Sequence, residues 1–303
     1  MGDINKLNAG IFAVLLFFSS FTGLFPATNQ VGISALLDWE KGELEAVTDL
    51  DLASTGLRFP SGRNQAEEIL RDEYLGLIRP LLLSLQVDSS DTLEDLIHRG
   101  DLDLKDLDNI SLGARAIPPG FSTDFTRFTG RYTLNLGNLS AALIRHQQGA
   151  NINRPLIPSP SANYTGIIII ADHILPVHGR NSSALLQPCL FPKIWDTEMN
   201  LIFERNLTDP AVTRSGQNPV VRYARTDNIF RPTPSGLNDD LISLVGERPL
   251  RIFARSVYGL NPTDPIIDRA DAQLILSTEN NRRLLQEGKV AIVINDSMLK
   301  IQK

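Results

Sequence analysis

Tyr164-Thr165-Gly166-Ile167-Ile168-Ile169-Ile170-Ala171-Asp172 is the stretch that decides the fold. Its four consecutive isoleucines follow neither a helical nor an alternating period. A run of that kind predicts a strand covered on both faces, in the middle of a sheet. Upstream, the segment 150–162 carries Pro155, Pro158 and Pro160 and reads as an extended, exposed linker. A polar, proline-rich tether feeding a buried strand marks a boundary between two folded modules.

Working outward to the N-terminal side, the first module is expected over 36–149. Val47–Ala53 partly alternates apolar and acidic residues, as a half-buried strand does. Asn64 with Glu67 has capping-box spacing and predicts a helix that carries Ile69, Leu70, Tyr74, Leu77, Ile78 and Leu81, kinked or ended at Pro80. Ser90 or Thr92 caps a short helix over Leu93–His98. Asp101 to Asp108 reads as an acidic loop, Ile110–Ala116 and Phe128–Leu136 as strands, and Leu139–His146 as a closing helix.

The second module is expected over 163–303, built on a mixed sheet. Phe191–Asp196, Asn200–Arg205, Pro219–Ala224 and Leu250–Tyr258 read as strands. Asp268 caps a helix through Ile275, Gly288 stops a further helical stretch, and Lys289–Ile294 is a last buried strand. Strands and helices in these orders, with no βαβ repetition, predict two α+β modules.

Residues 1–30 read as an address. After Lys6 no charge occurs until Asp38, and Ile11–Phe18 is unbroken apolar sequence ending in small residues and Pro26. This is the pattern of a secretory signal peptide. Its apolar core is shorter than the ~20 residues a spanning helix needs, although an uncleaved anchor is the alternative. The expected location is the periplasm, with inner-membrane attachment, and membrane contact, only if this segment is retained.

Composition narrows the function classes. The 303 residues are 42% hydrophobic and 21% charged, with a net charge of −6. That is ample for two cores, and without lysine or arginine clusters it argues against a nucleic-acid partner. Cys189 is the single cysteine, so no internal disulfide or thiolate zinc cluster is expected, and it reads as a small core residue.

The candidates for chemistry are thin. Asp172-His173 with His178 could form a metal or acid–base pair, but no third ligand accompanies them. They read as loop residues. His98 and His146 complete the four histidines. No Gly-x-Ser-x-Gly elbow or phosphate-cradling glycine loop is present. The Asp101–Asp108 cluster lacks the glycine and terminal glutamate of a calcium loop. Asn-x-Ser/Thr triplets at Asn109, Asn138, Asn163, Asn181, Asn206 and Asn295 matter only in a eukaryotic secretory pathway. Tyr164, Trp195 and Tyr223 could line a ligand site, but read first as core. No catalytic, cofactor-binding or metal-binding residue is therefore assigned.

Tyr164-Thr165-Gly166 with the isoleucine run, Pro192-Lys193-Ile194-Trp195-Asp196, Val221-Arg222-Tyr223-Ala224-Arg225 and Lys289-Val290-Ala291-Ile292-Val293 carry a resemblance. The C-terminal half is similar to exported bacterial envelope proteins related to the FlgP-like motility lipoproteins. The resemblance implies a non-enzymatic structural or assembly role, with envelope or flagellum-associated partners or further copies of itself. Without a lipidation cysteine it implies no lipid tether. The alternatives are a membrane-anchored ligand- or glycan-binding module and, less favoured, a secreted metal-dependent hydrolase.

Overall fold

The computed structural model describes residues 31–58, 60–214 and 219–302. The expected signal segment, 1–30, lies outside the described residues. The N-terminal half contributes β1 (Val31–Asp38), β2 (Glu43–Asp51), the short α1 (Leu52–Thr55), α2 (Arg63–Leu83), α3 (Leu93–His98), α4 (Leu104–Leu112), β3 (Arg115–Phe121), β4 (Arg127–Asn135) and α5 (Leu136–Leu143). The second half holds β5 (Ile167–Ala171), a small hairpin of β6 (Leu175–Pro176) and β7 (Ser183–Ala184), β8 (Ile194–Asp196) and β9 (Leu201–Phe203). There follow α6 (Pro210–Arg214), β10 (Arg222–Ala224), α7 (Asp239–Val245), β11 (Leu250–Tyr258) and β12 (Asp264–Ile267). The chain ends in α8 (Arg269–Ser277), α9 (Glu279–Gln286), β13 (Val290–Ile294), α10 (Asp296–Leu299) and β14 (Lys300–Gln302). These are two α+β modules, as the sequence predicts.

The isoleucine strand sits where its composition demands. β5 runs parallel to both β11 and β13, inside a mixed sheet of order β10-β13-β5-β11-β12-β8-β9. All five of its residues are buried. Ile167, Ile169 and Ala171 enter the main core, whereas Ile168 and Ile170 enter a second cluster with Leu241 and Val245 of α7. β13 alternates in the same way, Val290 and Ile292 to one side and Ala291 and Val293 to the other. Two-sided burial thus removes the polar positions that would give a half-exposed strand its alternation.

β2 shows the opposite case. Its burial alternates residue by residue, one face on α2 and the other half-open, in an antiparallel sheet of order β14-β1-β2-β4-β3. Ala66, Leu70, Tyr74, Ile78 and Leu82 form the buried stripe of α2.

Several local expectations are corrected. α2 starts at Arg63 with Gly62 in the cap position, and Glu67 pairs with Arg63 rather than closing a box on Asn64. Pro80 does not end α2, which runs on to Leu83; it falls in the last turn, where one lost backbone bond costs least. The reciprocal capping box instead belongs to Thr92 and Asp95 on α3. Residues 101–108 are not all loop, and Ile110–Leu112 is not strand. Asp103 accepts from the Lys105 amide, Asp106 stands near the positive helix end, and Leu107 and Ser111 are buried one turn apart, so α4 forms. The strand begins only at Arg115. The closing helix starts at Leu136 because the Asn135 side chain caps it on Gly137. Asp268 occupies its cap position but turns its carboxylate to Arg255.

A larger difference concerns the ends of the modules. β1 begins at Val31, before the expected start at residue 36, and its other neighbour is the C-terminal β14. The register is Leu36 with Gln302, Leu37 with Ile301 and Asp38 with Lys300. The last residues of the second half therefore complete the sheet of the first. Further backbone bonds cross between the halves, with Leu190 N donating to Gln86 O at 3.1 Å and Phe191 N to Val87 O at 2.8 Å. The linker is also less free than its prolines suggest. Leu156 and Ile157 are exposed, yet Ser159 N donates to Ser277 Oγ at 2.9 Å and Ser161 Oγ to Leu274 O at 2.8 Å, tying its second half along α8.

Candidate functional site

The carboxyl ends of parallel strands are where ligand sites gather in open sheets, and β5, β10 and β13 end together here. Asp172 follows β5. Its Oδ1 is 3.2 Å from His173 Nδ1, and its Oδ2 accepts from Thr226 Oγ1 at 2.7 Å. Asn295, after β13, donates to the Asp172 carbonyl at 3.1 Å. His178 joins neither residue. It lies in the β6–β7 hairpin with its ring 6.2 Å from that of Tyr258. The two-histidine arrangement considered from sequence is not assembled, because β6 carries His178 away from the strand end. Among the described residues no three His, Cys, Asp or Glu side chains converge as metal ligands.

Beside this edge the halves are clamped by charge. Glu40, in the turn after β1, accepts from Arg225 Nε through both carboxylate oxygens at 3.1 Å and from Arg225 Nη2 at 2.5 Å. Asn228 Nδ2 adds a bond to Glu40 Oε1 at 2.7 Å. The Glu40 carboxylate holds the Arg225 pKa above its ordinary value. The polar groups named here have structural partners, so this edge reads as a fastening between modules.

The aromatic candidates do not share a site. Tyr164 lies by α9, where its carbonyl accepts from Asn280. Trp195 stacks edge-on to Tyr258 at 5.9 Å, and its indole N–H points to Asp264 Oδ2 at 3.3 Å. Tyr223 is buried against Trp39 at 5.7 Å. Its hydroxyl donates to the Cys189 carbonyl and accepts from the Cys189 amide, both at 3.0 Å. Burial pushes the Cys189 thiol and the Tyr223 hydroxyl up, so both stay protonated. Asp264 is fully buried, and loss of hydration raises its carboxyl against the lowering effect of bonds from Lys193 N, Ser89, Trp195 and Thr263. Asp264 thereby ties β8 and β12 to the loop at Ser89.

A charged concavity lies elsewhere, where the halves meet: a groove of about 160 Å3 with Leu96 and Leu143 in its lining. Its rim is charged with both signs. On one side Arg99 donates to both oxygens of Asp91 at 2.8 Å each and through Nε to Asp101 at 3.0 Å. Asp88 stands beside them, its Oδ1 accepting from the Ser90 and Asp91 amides. Arg145 and His146 enter after α5, and Arg205 and Asn206 come from the second half. His146 Nε2 is 2.9 Å from the Thr208 carbonyl, which can only accept, so Nε2 carries the proton. The Arg205 guanidinium lies 4.9 Å over the Phe191 ring. Among the described residues neither Arg145 nor Arg205 has an ion-pair partner. Sequence reading missed this groove because its residues come from separated segments, none with a motif; the Arg145-His146 pair just past a helix was the one local sign.

Two family matches bear on the chain. Residues 30–142 match the family model described as Treponema pallidum Tp0624, N-terminal domain. Residues 166–296 match the model described as Treponema pallidum Tp0624, second domain. Both halves are similar to Tp0624, in the same order. No curated protein matches the chain. The matched spans bracket the linker, and β14 lies beyond the second of them. No helix among the described residues is long and apolar enough to cross a membrane.

Proposed function

We propose that this chain is a non-enzymatic exported envelope protein, a structural or assembly component of the periplasm, in the motility-related setting that its C-terminal blocks resemble. The observation that carries the reading is the fastening of the two modules: β14 returns to the first sheet, and Glu40 is gripped by Arg225 and Asn228. Many catalytic clefts close over their substrates by relative motion of loops or domains. Here the polar groups at the strand ends are spent on holding the halves together, which suits a body that transmits position to its neighbours. Lys6 and the Ile11–Phe18 run support export. Its partners are then other envelope or flagellum-associated proteins, or further copies of the chain.

Fractionation with N-terminal sequencing tests export: the mature protein starts between about Ala27 and Val31 and is found outside the cytoplasm. Cross-linking in intact cells tests assembly: the chain is captured in an envelope complex. A cytoplasmic protein retaining Met1, or a chain captured with no envelope component, contradicts the proposal.

A further inference from the structure

We propose that the charged groove at the module junction binds a small amino acid bearing two carboxylates and one ammonium group. The argument starts from which charges on its rim are already committed. Asp91 and Asp101 are both engaged by Arg99, so these three groups hold one another and leave little for a ligand. What remains in the lining is one carboxylate, Asp88, and two guanidiniums, Arg145 and Arg205, without ion-pair partners among the described residues.

Each remaining group has a chemical preference. A guanidinium presents a planar fork of donors that matches a carboxylate, and the Arg205 guanidinium rests over the Phe191 ring, 4.9 Å from its centroid. Asp88 uses Oδ1 on two backbone amides, and its Oδ2 accepts no hydrogen bond among the described residues. A ligand ammonium satisfies that oxygen. Two uncommitted cations and one uncommitted anion thus call for two negative charges and one positive charge on the occupant. Asn206 and the second ring nitrogen of His146 add neutral polar contacts.

Size agrees with this charge pattern. A closed cavity of about 150 Å3 holds a molecule the size of benzene. The groove has about 160 Å3 and opens to solvent, which is room for a five-carbon amino acid. Leu96 and Leu143 form an apolar floor suited to a short methylene chain. Sites formed where two domains meet are a common location for small-molecule binding.

The test is isothermal titration of the full-length chain with glutamate as the probe. Glutarate, which lacks the ammonium, and glutamine, which lacks the second carboxylate, are the matched controls. Saturable binding of glutamate is expected, with both controls at least tenfold weaker. Arg145→Gln and Arg205→Gln should each weaken glutamate at least tenfold; Arg145 is exposed, so its variant keeps the wild-type circular dichroism and melting temperature. Absence of glutamate binding overturns the proposal. So does equal affinity for glutarate or glutamine, or unchanged binding by a folded Arg145→Gln chain. Export and envelope assembly are read in other experiments, so either proposal can fail alone.

Discussion

Replacing Gly166 with alanine tests the closest approach in the second module. A Cβ at Gly166 would meet Val245 Cβ at 2.4 Å, Val245 Cα at 2.5 Å and the Val245 carbonyl at 2.6 Å. Carbon atoms pack at about 3.5–4.0 Å, so α7 and β5 must separate by roughly 1 Å. The obstruction is backbone, which cannot swing aside as a long side chain can. Separation also lifts Val245 and Leu241 from the cluster they form with Ile168 and Ile170. Overpacking typically costs ~1–3 kcal/mol, and loosening of a buried cluster adds to it, so about 3 kcal/mol or more is expected. Against a total stability of ~5–15 kcal/mol this is a large fraction. Guanidinium unfolding followed by circular dichroism reads it as a lowered midpoint at unchanged slope. Gly76→Ala is the internal control: it lies inside α2, and a Cβ added there would meet nothing within 4 Å, so it should stabilise by ~0.5–1 kcal/mol. A Gly166→Ala chain within about 1 kcal/mol of wild type would refute the close packing of α7 on the isoleucine strand.

Other consequences follow from the same contacts. Ile168→Asp places a carboxylate in a fully buried position, costs several kcal/mol, and should leave no soluble protein; soluble, folded protein contradicts two-sided burial of β5. A double-mutant cycle on Glu40 and Arg225 should give a coupling of ~1 kcal/mol, modest because both side chains are partly exposed to screening water, and zero coupling would deny the clamp. Burial raises the Asp264 carboxyl above its ordinary 3.8, so the folded state favours its protonated form. Its contribution to stability is therefore complete below pH 3.8 and is lost as the pH rises through the raised folded value. Subtracting the stability-against-pH curve of Asp264→Asn from that of wild type should expose this decline, and a flat difference would count against it.

Much of the architecture is legible in the residues themselves. The isoleucine run and Val290–Ile294 announce buried strands because two-sided burial removes polar positions, and β2 announces a half-buried one by alternation. The start of α4 was hidden: its capping aspartate stands in a run of acids that looks like a solvated loop until Leu107 is seen to be buried. The return of β14 to β1 could not be read at all, since a three-residue edge strand carries no pattern and its partner lies more than 250 residues away. The groove was equally silent. Ionic partnerships such as Arg99 with Asp91 and Asp101 depend on turns that bring the segments together, and an unpaired arginine looks like any other until the fold shows who its neighbours are.

The central claim is that the two modules form one fastened body. Differential scanning calorimetry of the full-length chain tests it most directly. A fastened pair unfolds in a single transition whose calorimetric and van't Hoff enthalpies agree. Removal of residues 300–303, which takes away β14, should lower that transition temperature. Two resolved transitions in the intact chain, with the truncation affecting neither, would contradict the account.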